Sequence, residues 1–182
     1  MPNSTNPHQR LVVFAHGMES GPWGTKIEAL AEVARARNFA VQSPDYRHTQ
    51  DPRARTEQLR ALSPRADTLV LCGSSMGGYV SAQACRFLHP AALFLLAPAL
   101  YYPGFDEEPT DIPAHSAVVH GWHDDIIPPE SALRFARSHQ AELHLLHDSH
   151  RLIDSLPIIE QLFDRFLVRL LREPRSKPRS TD

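Results

Sequence analysis

At 182 residues, with 42% hydrophobic and 22% charged residues, the chain has a globular composition and enough length for one domain with a substantial core. A formal net charge of −2 offers no general electrostatic basis for binding nucleic acid, and no apolar run approaches the ~20 residues of a membrane helix. Residues 1–10 lack the apolar stretch of a signal peptide, and the two cysteines, Cys72 and Cys85, read as buried free thiols, which together point to the cytoplasm.

In chain order, residues 1–10 read as an unstructured end, residues 11–171 as one domain and residues 172–182 as a disordered basic tail. The continuous apolar run at 11–15 suits a strand buried on both faces. Helical periodicity at 26–37 places Ile27, Leu30, Ala31 and Ala34 on one side. A strand at 39–42 and a more polar helix at 52–62 follow, then a strand at 68–72 and a helix at 76–88. Strands at 92–96 and 116–120 come next, with a helix opening at Pro129, where proline is well tolerated. A strand at 142–146 and a long helix at 152–171 close the pattern. Strands alternating with helices imply an α/β fold, a parallel sheet covered on both faces. The longest stretch without a pattern is 98–114.

The most informative residues are Gly73-Ser74-Ser75-Met76-Gly77-Gly78, set between an apolar strand and a helix that begins at once. The spacing Gly73-x-Ser75-x-Gly77 is that of a nucleophile elbow, in which a serine sits on a sharp turn that only small neighbours permit. The helix beginning at Met76 offers a free N–H to a developing oxyanion. Ser74 is the competing nucleophile, although it holds the variable position of the motif. Upstream, the first strand runs into His16-Gly17-Met18-Glu19-Ser20-Gly21-Pro22. That loop is similar to the one that gives α/β-hydrolases their second oxyanion donor, which the resemblance implies is the backbone N–H of Met18, with His16 as a structural support, unless its glycines serve only to make a turn.

Together these segments resemble the α/β-hydrolase superfamily over 11–171. The resemblance implies a three-layer fold around a mostly parallel six-stranded sheet of order 2-1-3-4-5-6, and a triad in the chain order Ser, acid, His. Gly121-x-x-Asp124-x-x-Ile127-Pro128 is similar to the family's acid loop and selects Asp124, with Asp125 as its neighbouring alternative. The base is expected just after the last strand. His150 fits that place better than His147, which still falls in the strand's pattern, and Asp148 lies too near in sequence to be the acid.

A metal site built from His120, His123, Asp124, Asp125, His147 and His150 is the competing chemistry, but none of the usual zinc spacings occurs. No metal or other cofactor is therefore expected.

Within the superfamily, Gly21-Pro22-Trp23-Gly24-Thr25-Lys26 and the elbow are similar to small esterases and acyl-protein or acyl-CoA thioesterases, with YqiA-like bacterial esterases and depalmitoylating abhydrolase-domain enzymes as comparisons. The resemblance implies a serine esterase or thioesterase acting on a small-molecule substrate. A catalytically silent binding or scaffold protein on the same fold is the alternative. The superfamily's usual N-terminal hairpin is expected to be absent, and residues 98–114 are expected to leave room for only a minimal cap. Trp23, Tyr101 and Tyr102 are expected to line an acyl pocket with Met18, unless the aromatics merely pack their loop down. Asp106, Glu107, Glu108 and Asp111 would form an acidic rim disfavouring anionic substrates if they border the entrance.

Overall fold

The computed structural model describes residues 8–172. Strand β1 (His8–Ala15) leads to helix α1 (Thr25–Ala36), β2 (Ala40–Gln42), α2 (Pro52–Leu62), β3 (Ala66–Ser74), α3 (Met76–Leu88), β4 (Ala92–Leu96), β5 (His115–Gly121), α4 (Pro129–His139), β6 (Glu142–Leu146) and α5 (Leu156–Arg172). The six strands form one sheet of order β2-β1-β3-β4-β5-β6, and every pairing is parallel.

Parallel pairing requires crossovers, and the helices that make them shield both faces. The alternation of side chains along β1 shows the division. Leu11, Val13 and Ala15 join the core beneath α2, α3 and α4, where Leu59, Val80 and Phe135 lie. Val12 and Phe14 join the opposite core, formed with Ile27, Leu30 and Ala34 of α1 and Ile159, Phe163 and Phe166 of α5. There Phe94 packs against Phe163 and Phe166 with centroids 4.9 and 5.1 Å apart. Each of these rings contributes roughly 1.5–3 kcal/mol by burial, before edge-to-face gains.

Local signals fix most boundaries. Asp51 accepts a hydrogen bond from the Arg53 N–H and Pro52 follows it, so α2 starts where its cap dictates. Two expectations shift. Helix α5 opens at Leu156 rather than residue 152, because Asp148 Oδ2 holds the Ser155 N–H at 2.8 Å and buried Leu152 takes a left-handed φ of 54°. Strand β1 reaches back to His8, where it pairs beside Ala66, and Arg172 still belongs to α5. The expected unstructured ends therefore give up those residues, and the remainder, 1–7 and 173–182, lies outside the described residues. Cys72 and Cys85 are buried and unbridged, and burial raises the pKa of both thiols.

Candidate active site

The chain leaves β1 toward one sheet edge, for β2, and returns past it to β3. Loops following β1 and β3 therefore diverge and leave a crevice at the carboxyl ends of these strands. Gly17 and Ser75 meet there, since a methyl built on Gly17 would stand 3.6 Å from Ser75 Cβ.

Ser75 occupies the turn between β3 and α3 with φ 54° and ψ −120°, a conformation that costs about 1–3 kcal/mol for a non-glycine residue. The turn is over-determined by its backbone bonds. The Ser75 N–H donates to Leu96 O at 2.9 Å, and its carbonyl accepts from Gly78 at 2.9 Å and Ala99 at 3.0 Å. Close packing explains the flanking glycines. A Cβ on Gly73 would overlap the Gly77 carbonyl, and one on Gly77 would overlap the carbonyl of Ala15.

Residues from three loops converge on the exposed side of the turn. His150 Nε2 lies 2.9 Å from Ser75 Oγ, and His150 Nδ1 lies 2.7 Å from Asp124 Oδ2. A carboxylate only accepts, so Nδ1 carries the proton and Nε2 is left to accept the serine hydroxyl proton. Burial alone would raise the pKa of Asp124, but hydrogen bonds from His120, His150 and the amides of Ile127 and Ile126 hold it well below the usual carboxylate range. Its Oδ1 takes the Ile126 and Ile127 N–H groups at 2.9 and 2.8 Å. Its Oδ2 is shared between His150 and His120 Nε2, the latter at 3.0 Å.

His120 carries no such role in the sequence reading. It is fully buried near the end of β5, with Nε2 between Asp124 Oδ2 and Ile127 O at 2.9 Å. Both neighbours are acceptors, so that nitrogen bears hydrogen. Asp125 is exposed one residue from this network. His147 lies beyond β6 rather than within it, and its Nδ1 is 3.0 Å from His123 Nε2. Asp148 binds the amides of Ser149 and Ser155 and so shapes the loop that carries His150. Among the described residues, no group of three or more His, Cys, Asp or Glu side chains is arranged to hold a metal ion.

The loop after β1 is held from behind. His16 is fully buried; its Nε2 accepts the Tyr46 N–H at 3.0 Å, so Nδ1 donates to Gly17 O at 2.7 Å. Burial lowers the His16 pKa and keeps this ring neutral. Beneath the loop lies Arg55 of α2, also fully buried. Its guanidinium donates to the carbonyls of Thr49 at 2.9 Å, Gly17 at 3.1 Å, His16 at 3.3 Å and Met18 at 3.5 Å. With the carbonyls pulled toward Arg55, the opposite edge of the loop is left to present N–H groups. Among the described residues, the amides of Met18 and Met76 have no acceptor.

A cavity of about 670 Å³ opens beside Ser75. Met18, Ile126, Ile153 and Ile27 give it apolar wall, and Glu19, Lys26 and Arg151 are its charged residues. The expected aromatic lining lies elsewhere. Trp23 stands over a neighbouring surface groove, its ring under the Arg35 guanidinium. The Tyr101 hydroxyl donates to Glu108 at 2.6 Å while Arg134 covers its ring, and exposed Tyr102 leans on Phe105. The segment after β4 packs down through Phe105, edge-on to Tyr79 of α3 at 5.2 Å, instead of overhanging the cavity. The acidic rim dissolves for the same reason. Glu107 pairs with Arg86, Glu108 pairs with Arg134 and His139, and no residue of 106–111 lines the cavity.

Comparison with known proteins agrees with this architecture. Residues 11–107, which include the His16-Gly17 loop and the serine turn, match the model of UPF0227, an uncharacterised protein family. The chain belongs to that family. Its fold is that of the α/β hydrolases. An α/β-superfamily hydrolase structure from Xanthomonas campestris pv. campestris is 32% identical, with a TM-score of 0.79 over 88% of this chain and 98% of that one. Est1E from Butyrivibrio proteoclasticus shares the fold at 17% identity, with a TM-score of 0.77 and coverage of 95% and 93%. A second Xanthomonas campestris protein, described as a serine hydrolase without lid, aligns at 22% identity with a TM-score of 0.62, covering 90% of this chain and 84% of that one. A search of curated proteins finds no match. Among the described residues, no helix is long and apolar enough to cross a membrane.

Proposed function

We propose that the protein is a serine hydrolase that cleaves carboxylic esters or thioesters through an acyl-enzyme on Ser75. The observation that carries this reading is the unbroken chain Ser75 Oγ, His150, Asp124, with links of 2.9 and 2.7 Å, beside an open cavity. A serine hydroxyl is a weak nucleophile at neutral pH and needs such a base within reach.

In this reading Ser75 Oγ attacks the substrate carbonyl while its proton passes to His150 Nε2. Asp124, ionised and fixed by four donors, stabilises the imidazolium without taking its proton. The amides of Met18 and Met76 bind the negative oxygen of the tetrahedral intermediate, a contribution of the order of 10²–10³ in rate per donor. Collapse expels the alcohol or thiol, which leaves with the proton from His150. Water then repeats the sequence: it gives a proton to His150, attacks the acyl carbon, and the acid departs as Ser75 recovers its hydrogen. No cofactor is required by these steps. The likeness to structures described as α/β hydrolases, one of them lidless, supports the same class.

Intact mass after exposure to a fluorophosphonate probe tests the proposal. Wild type is expected to gain one phosphonyl group and Ser75→Ala none. Equal labelling of both would move the nucleophile, first to Ser74, and no labelling of wild type would contradict an activated serine.

A further inference from the structure

Lys26 is the second residue of α1 and lines the cavity that holds Ser75 and His150. Three features make its position costly. It lies in the first helical turn, where the helix end is already positive and a cation is disfavoured. It is half-buried, and Arg151, also in the cavity wall, repels it; desolvation first and that repulsion second push its pKa down to about 8. Among the described residues its ammonium has neither a hydrogen-bond partner nor a carboxylate in ion-pair contact. The carboxylates that attract it, Asp148 and Asp124, are committed elsewhere. The first holds the Ser149 and Ser155 amides, and the second holds His120, His150, Ile126 and Ile127. Positions that break local rules without a compensating contact are expected at functional or strained sites. An anion in the cavity would relieve all three costs at once.

Among the described residues, Glu19 is the one carboxylate in the cavity wall, and it is exposed to solvent. The acidic residues 106–108 do not border the cavity, and Glu107 and Glu108 are neutralised by arginines of α3 and α4, so they set up no barrier to an anionic group. Apolar Met18, Ile126 and Ile153 share the same cavity. The cavity is therefore suited to a ligand with an apolar part and one negative end.

We propose that Lys26, assisted by Arg151, selects ester or thioester substrates that carry an anionic group, a carboxylate or a phosphate, alongside the reacting carbonyl. This deepens the hydrolase reading and rests on it. Lys26 is a specificity residue here. It binds a remote part of the substrate, and its ammonium gives a charge-assisted contact.

The test compares kcat/KM for matched ester pairs in wild type, Lys26→Met and Lys26→Arg. In one pair the acyl group ends in a carboxylate or its methyl ester. In the other the leaving group is a hydroxybenzoate or the corresponding hydroxybenzamide. Wild type is expected to prefer the anionic member of at least one pair, and the pair that responds tells which side of the carbonyl faces Lys26. The preference should drop about tenfold in Lys26→Met, the scale of one charged hydrogen bond, and return in Lys26→Arg. Because the readout is a ratio, a general loss of active protein cancels. An unchanged ratio in Lys26→Met, with wild type still labelled by fluorophosphonate, overturns this inference and leaves the hydrolase reading intact. Absent labelling and absent turnover overturn the hydrolase reading instead. Calorimetric titration with glutarate monoester then decides the anion site alone, and binding that is absent or indifferent to Lys26→Met refutes it.

Discussion

Replacing Arg55 with Met tests whether the loop after β1 is held by the buried guanidinium. Methionine keeps most of the apolar stem and removes every donor. Two of the four carbonyl contacts are well formed, to Thr49 at 2.9 Å and Gly17 at 3.1 Å. The other two, to His16 and Met18 at 3.3 and 3.5 Å, are longer and weaker. Gly17 O keeps the hydrogen bond from His16 Nδ1, so the Thr49 carbonyl is the one stripped of its donor, at about 1–3 kcal/mol, with about 2 kcal/mol expected after the loop relaxes toward water. That relaxation turns the loop and displaces the Met18 amide. Losing one oxyanion donor lowers kcat about 10²–10³-fold. KM should change little, since the donor acts mainly in the transition state. Urea unfolding gives the stability change, and steady-state hydrolysis of a neutral 4-nitrophenyl ester, under conditions where the variant is folded, separates kcat from KM. A variant that loses stability yet retains wild-type kcat would show that Arg55 does not position the Met18 amide.

Three further outcomes follow from the site. His120→Ala removes one donor from Asp124 and should lower kcat about tenfold at unchanged KM, with partial recovery in His120→Gln; steady-state kinetics on the three proteins checks this. Asp124 has a depressed folded pKa, so its stabilisation is present above the ordinary aspartate value of about 3.9 and is lost as pH falls toward the folded value. Thermal melts should therefore show Tm falling below about pH 4, less steeply in Asp124→Asn, and an identical acid profile in the two proteins would contradict the assignment. Gly77→Ala drives a methyl into the carbonyls of Ala15 and His16. A loss of at least about 3 kcal/mol in urea unfolding is expected, together with loss of fluorophosphonate labelling in whatever fraction stays folded.

The sheet was legible because each strand is an apolar run bounded by turn residues and each helix has its own periodicity. α2, α3, β4 and β6 begin and end where those patterns do. The meeting of Ser75, Asp124 and His150 was legible because each lies in the connection that follows a strand, where chain order and topology leave little freedom. Arg55 was not legible. In sequence it is one arginine in a polar helix, and its burial arises only when α2 packs beneath a loop 37 to 39 residues earlier. His120 was likewise hidden, because its partnership with Asp124 depends on the fold of the intervening loop. The acidic run at 106–108 misled in the opposite direction. Its charge is offset by Arg86 and Arg134, which arrive from two helices distant in sequence. Tyr101 and Tyr102 failed as pocket residues because Phe105 anchors their segment onto α3.

The central claim is that Ser75 becomes acylated during turnover. Rapid mixing with 4-nitrophenyl acetate, followed by acid quench and peptide mass analysis, reads this directly. Wild type is expected to give a stoichiometric burst of nitrophenolate and one acetyl group on the peptide that contains Ser75, and Ser75→Ala neither signal. Hydrolysis by Ser75→Ala at the wild-type rate, or an acetyl group on another residue, would contradict it.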